Sequence, residues 1–318
     1  LHGTYKEKKM QEYISEKLVN SQAWKFYFIL LAWPLYLLSL PMVFSRFGAW
    51  SSVYMMFPGV YLFTWLGYLM HETWHKYVPV IPNDRLYYVL SWMLFTDPQI
   101  YRILHGFHHS MVNTWEDTEF HPLGEIKNRP LKIAYNFFEI ILGIAFISVI
   151  STLILPHHPK YKAKYRFSSS ITTVIIIIIF LGALGCACHF IFGISVHAIV
   201  ISYVISIWLN SFFLHHSQMI EHGNYIVEGD YNNRNLRTRN LSDKGALERM
   251  FLFFSHGDTR EHVLHHTLVS VYSRPFPGKV PMPEGAGYID IKGYMKVLAD
   301  MLLGITVPVI EAKKTGQP

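Results

Sequence analysis

Two apolar runs, 24–44 and 50–70, stand on either side of a five-residue link, Ser45-Arg46-Phe47-Gly48-Ala49. Each has about 20 residues, the length of helix that crosses a bilayer core, so the pair predicts a transmembrane hairpin. Runs at 171–193 and 196–214, turning near Gly193, predict a second. Composition agrees: 51% of the 318 residues are hydrophobic, mean hydropathy is +0.21 and only 16% are charged, against about 25% in soluble domains. A further apolar stretch, 131–155, is interrupted by Asn136, Glu139 and Gly143, and the segment His157 to Arg166 after it is strongly basic. Basic loops stay in the cytoplasm, so 131–155 is expected to lie along the membrane or re-enter it without crossing. The Lys-rich lead-in, 1–23, places the N-terminus on the same side.

The fold expected is therefore all-α: one polytopic membrane domain over 1–318, with four spans in two hairpins, membrane-associated helices and a cytoplasmic cap formed by 71–130 and 215–290. Residues 292–310 have the pattern of a peripheral amphipathic helix. The net charge of +6 suits loops that face anionic headgroups, and no basic–aromatic array favours nucleic acid. Cys186 and Cys188, the two cysteines, lie inside an apolar run. They are too few for a four-cysteine iron site.

Histidines gather where the apolar runs end. They read His71-Glu72-Thr73-Trp74-His75, His105-Gly106-Phe107-His108-His109 and His262-Val263-Leu264-His265-His266, with Glu221-His222-Gly223 adding one more. Positions three and four apart share a helix face, so each box is expected to present its imidazoles together. Nine imidazoles exceed the about four to six ligands that one transition metal takes, and two adjacent metals use them all. Glu72, Glu116, Asp117, Glu221, Asp258 and Glu261 are available to accept the second ring N–H of ligating histidines. His215, His216 and His256 are candidates for supporting positions, and His2, His157, His158, His189 and His197 for solvated or packed ones.

His71-Glu72-x-x-His75 alone is also a zinc protease signature, with the glutamate as general base. An intramembrane zinc metalloprotease leaves the second and third boxes unexplained. A metal-storage or transport protein is a third reading, but transporters place ligands near the midplane of their helices, whereas these lie at helix ends.

Histidine boxes after one membrane hairpin, and a third after a second hairpin, resemble the integral-membrane fatty acid desaturase and hydroxylase superfamily, over residues 24–275. Within it, His71 to Lys76 is similar to the first box of the membrane alkane hydroxylases. Ile220-Glu221-His222-Gly223 resembles their Glu-His-Tyr-Gly element without the tyrosine, and Arg260 to His266 follows the layout of their third box with different intervening residues. The resemblance implies two non-heme irons on the cytoplasmic face, held by His71, His75, His105, His108, His109, His222, His262, His265 and His266. Dioxygen would be the co-substrate and a fatty acyl or alkyl chain the substrate. Desaturation is the first expectation; hydroxylation and oxidative decarboxylation to a terminal alkene are alternatives at the same site. Trp65, Tyr68, Trp74 and Phe107 are candidate walls of the acyl channel.

Electrons are expected from a separate ferredoxin, rubredoxin or cytochrome b5-like donor, because the chain has no dinucleotide fingerprint and no cysteine cluster. Arg234, Arg237, Arg239, Lys244 and Arg249 form a basic stretch suited to an acidic partner, an anionic headgroup or the lipid surface.

Overall fold

The structure, a computed structural model, describes residues 24–75, 82–160, 162, 164–267, 282–305 and 310–311. The lead-in 1–23 with His2, Lys76 and residues 268–281 of the expected cap lie outside the described residues, as do four residues of the expected peripheral helix.

Helix α1 (Trp24–Phe47) runs through Pro34 and Pro41 and ends at Gly48, whose φ of +55° lets the chain turn back. The returning leg starts with a short 3-10 turn, Gly48–Trp50, and one helical turn, Ser51–Tyr54. It widens to a π-helix at Met55–Val60, around Pro58, and continues as α2 (Tyr61–Trp74). Pro58 supplies no N–H to the helical ladder, which accounts for the wider turn. The legs pack antiparallel: Trp24 meets Trp65 at 6.1 Å between ring centroids, Trp33 meets Phe63 at 5.5 Å, and Ser39 Oγ lies 2.7 Å from Tyr54 Oη. Gly59 makes the approach possible, since a Cβ there would collide with the Tyr36 ring.

Helix α3 (Asn83–Met93) packs on α2, and Trp33 Nε1 donates to Met93 O at 3.1 Å. Helix α4 (Pro98–Met111) is capped by Asp97, which accepts Gln99 N at 2.7 Å and Ile100 N at 3.2 Å; proline at the first helical position completes the start signal. The stretch expected not to cross splits at Gly143 (φ +61°) into α5 (Arg129–Leu142) and α6 (Ile144–Ile154). With 14 and 11 residues, neither half reaches the about 20 needed to span. Helices α7 (Phe167–Phe192) and α8 (Val196–His222) form the second hairpin. Gly193 (φ +67°) closes α7, and Ser195 caps α8 through Ala198 N. Tyr36 Oη and Ser206 Oγ, 2.7 Å apart, tie the two hairpins together.

Three described helical segments are long and apolar enough to cross a membrane: Tyr27–Trp74, Phe167–Phe192 and Val196–His222. The first is the double-length segment that folds back at Gly48.

Beyond α8 the chain builds a cap from α9 (Tyr231–Leu236), α10 (Ala246–Phe254), α11 (Asp258–Thr267) and α12 (Ile291–Leu302). Two small parallel pairs, β1 (Val227–Glu228) with β4 (Ile310–Glu311) and β2 (Arg239–Leu241) with β3 (Gly287–Ile289), stitch it together. Arg239 departs from the expected surface role. It is buried, and its guanidinium donates to Met219 O at 3.0 Å and Gly223 O at 2.8 Å. Both carbonyls lie at the end of α8, where Met219 O also accepts Gly223 N at 2.8 Å, so the guanidinium ties the helix end to the cap.

Candidate metal centre

All nine box histidines converge, in two groups. His71, His75, His105, His109 and His265 form one. Their Nε2 atoms lie 3.1 Å apart for His71–His265, His265–His109 and His109–His105, and 3.4 Å for His105–His75. The second group joins His222 to His262 at 2.8 Å, His262 to His266 at 3.0 Å and His266 to His108 at 3.3 Å.

The sorting differs from the expectation that each box presents one face. His71 and His75, His105 and His109, and His262 and His266 stay together, each four residues apart, while His108 and His265 cross to the other group. Successive helical residues are rotated by about 100°. Adjacent histidines, such as His108 and His109 or His265 and His266, therefore address different foci.

The outer ring nitrogens explain how these rings are held. His105 Nδ1 meets Glu119 Oε2 at 3.1 Å and His108 Nδ1 meets Asp117 Oδ2 at 2.8 Å. His222 Nδ1 donates to Asn113 Oδ1 at 3.3 Å and His266 Nδ1 to Asn235 Oδ1 at 3.2 Å. The amide orientations are fixed independently, because Asn113 Nδ2 donates to Arg234 O at 2.9 Å and Asn235 Nδ2 to Tyr231 O at 2.7 Å. An amide oxygen can only accept, so His222 and His266 carry their proton on Nδ1 and turn a bare Nε2 lone pair inward. Glu72 lies 3.5 Å from His71 Nδ1; Glu221 and Asp258 lie 3.4 and 3.8 Å from His262 Nδ1.

Electrostatics favour neutral rings. Burial and the surrounding imidazoles push His109, His265 and His266 well below the usual histidine range. His108 is the exception: burial opposes its charged form, but Asp117 and Glu119 outweigh that and raise it. Burial likewise opposes ionisation of Glu119, and His105 and His108 overcome it, so its carboxyl is held below the usual range.

Converging lone pairs repel unless a cation lies among them. An imidazole nitrogen sits about 2.0–2.1 Å from zinc, so neighbouring ligand nitrogens around one such ion are about 2.9–3.4 Å apart. All the Nε2 spacings given fall in that range except His222–His262, at 2.8 Å, and the nitrogen-rich donor set suits zinc, copper, iron or nickel. Five imidazoles in the first group exceed the four ligands of a structural zinc site.

A largely apolar cavity reaches both groups. Phe63, Gly67, Tyr68 and Met70 of α2, Leu94 at the end of α3, Tyr101 of α4, Ile144 of α6 and Leu214 of α8 form its wall; His71, His105, His108, His222 and His262 line its polar end. Of the expected wall aromatics, Tyr68 is present. Trp65 instead packs on Trp24 and Phe28, Trp74 rests against the imidazoles of His75 and His105, and Phe107 lies beneath the Lys164 ammonium.

Other expectations also shift. Glu116 makes a surface ion pair with Lys160. Glu261 lies at the kink in α11, with φ −125°. His215 bonds Glu139 at 3.2 Å, fastening α8 to α5, and His216 bonds Tyr294 and Ile140 O, fastening α8 to α12 and α5. His256 meets Tyr61 O at 3.0 Å and packs at a tilt against the Tyr61 ring. Glu119, Asn113 and Asn235 are supporting residues that box spacing alone does not reveal. Glu119 lies in the loop after the second box, close to Glu116 and Asp117 in sequence.

The fatty acid desaturase family matches over residues 47–273, more than two thirds of the chain. Neither a curated protein nor a solved structure matches. The match spans all three boxes, the Glu221-His222 element, the returning leg of the first hairpin and the whole of the second. This mostly helical membrane protein belongs to the fatty acid desaturase family.

Proposed function

We propose that the protein is an oxygen-dependent di-iron oxidase that desaturates a fatty acyl chain. The observation that carries the reading is the convergence of nine imidazoles into groups of five and four at the polar end of an apolar cavity. His71, His75, His105, His109 and His265 would hold one iron; His108, His222, His262 and His266 would hold the other. Bound iron supplies the activation of dioxygen and the one-electron chemistry that an unactivated C–H bond requires.

The chain's residues do the rest. Asp117, Glu119, Asn113 and Asn235 fix ring orientation through Nδ1. Phe63, Tyr68, Met70 and Leu214 exclude water and place a run of methylenes beside the histidines. Desaturation removes two hydrogens from neighbouring carbons and reduces dioxygen to two waters, which takes two further electrons and two protons. Glu221 and Asp258, at the polar end of the cavity, are placed to pass those protons. The electrons come from a separate ferredoxin, rubredoxin or cytochrome b5-like protein. Exposed Lys244 and Arg249 remain available to meet an acidic donor; buried Arg239 does not.

The topology in this reading has four spans, α1, the leg ending in α2, α7 and α8, with the histidines in the cytoplasmic cap. Hydroxylation and oxidative decarboxylation to a terminal alkene use the same site and differ in how the chain's carbons lie against it. A protease mechanism is disfavoured by Glu72, which sits against the outer nitrogen of His71, away from where a base must reach a metal-bound water.

Metal analysis together with product mass spectrometry tests the proposal. Purified protein should carry two irons per chain and, with a suitable donor, form an unsaturated product. Unchanged metal content and product in both His105→Ala and His265→Ala would overturn it.

A further inference from the structure

A surface cleft opens where α7 begins, between its first two turns, the end of α3 and the start of α4. It is lined in part by Trp92, Gln99, Lys164, Arg166, Ser168 and Thr173. Gln99 holds the two cations in place: its Nε2 donates to Lys164 O at 2.8 Å and its Oε1 accepts Arg166 N at 3.0 Å. The first-turn N–H groups of a 26-residue helix add the positive end of its dipole.

Unmet donors point to a ligand. Thr173 is 4% exposed, yet its Oγ1 has no hydrogen-bond partner among the described residues, and the buried Trp92 Nε1 has none either. Buried polar atoms are nearly always paired, so an acceptor from outside the chain is called for. The nearby carboxylate of Asp97 does not compete. Its oxygens already accept Ser169 Oγ at 2.8 Å, Ser170 Oγ at 2.6 Å, Gln99 N and Ile100 N.

Location supplies the chemistry of the occupant. Immediately beyond the cleft, Ile171, Val174, Ile175 and Ile178 of α7 are exposed, and only 6% of that helix's apolar window is buried inside the protein. Such a surface faces lipid tails, which puts the cleft at headgroup depth. We propose that it binds the phosphate of an anionic membrane phospholipid, with Lys164 and Arg166 meeting the charge and the Trp92 and Thr173 donors fixing the oxygens. This assignment is independent of the reaction, since none of these residues touches either histidine group.

Native mass spectrometry of the full chain in mild detergent tests it, with phosphatidylglycerol, phosphatidylcholine and inorganic phosphate as probes and thermal melting as the folding control. Phosphatidylglycerol should be retained over phosphatidylcholine. Trp92→Phe and Thr173→Val, which keep every charge, should each weaken retention about tenfold, the worth of one hydrogen bond to a charged group. Lys164→Ala should weaken it as well. Millimolar phosphate that binds where phosphatidylglycerol does not would keep the phosphate site and assign it a soluble ligand. If no probe binds, or if both charge-neutral variants retain phosphatidylglycerol as well as the parent while Lys164→Ala loses it, the attraction is diffuse and the site is refuted.

Discussion

Asn113 and Asn235 contribute no nitrogen to either histidine group, yet each determines which ring nitrogen of its histidine faces inward. Supporting partners of this kind are typically worth about 10–100-fold in metal affinity or activity. Asn235→Leu and Asp117→Asn should each fall in that range by metal competition assay, with the fold retained. Gly67 works by absence: it lines the cavity, and a Cβ there meets Leu214 at an ordinary 3.5 Å. Gly67→Leu should therefore fit poorly and fill acyl space. Turnover of long chains should drop about tenfold or more, the cost of a methylene or two misplaced in an apolar pocket. Metal content should stay constant, which metal analysis beside a chain-length series would check.

At the scale of elements, the hairpins and boxes were legible because run length and histidine spacing are local signals. The break of 131–155 was legible in part: Gly143 marked a weakness, and the structure uses its left-handed φ to bring α6 against α8. A Cβ at Gly143 would meet the backbone carbonyl of Ser211. Gly143→Ala should cost at least about 1–3 kcal/mol in backbone strain, read as a lower melting temperature. What spacing did not reveal is which imidazole joins which group, because that depends on how three helices and the end of α8 meet. Glu119, Asn113 and Asn235 were hidden for a related reason. Each reaches its ring from a loop or a small helix outside the box, 14 positions away for Glu119 and His105 and 109 for Asn113 and His222. Arg239 looked like surface charge in a basic stretch, and only the end of α8 reveals its partners.

For the molecule as a whole, a centre of buried neutral imidazoles makes the metal-free protein sensitive to acid. The unfolded chain takes up protons at His109, His265 and His266 as pH falls through about 6.5, the ordinary value. The folded chain resists, so stability declines below that point. Glu119 adds to the loss at lower pH, because its depressed carboxyl stabilises the fold only while ionised. His108, raised by its carboxylates, works the other way and gains on acidification. The lowered histidines, buried His121 among them, outweigh the one raised and predict a net fall in melting temperature of the metal-free form between pH 7 and pH 5. Bound metal should shift the whole curve upward by mass action, and adding chelator should reverse that shift.

The neighbouring pairs His108–His109 and His265–His266 divide between the two groups, so two short rigid rods each bridge both foci. The spacing of the proposed irons is thereby written into the pitch of the α-helix. Loop motion or lipid pressure on one hairpin would displace both ions as a unit. An extra residue inserted between His105 and His108 would scramble both coordination spheres at once.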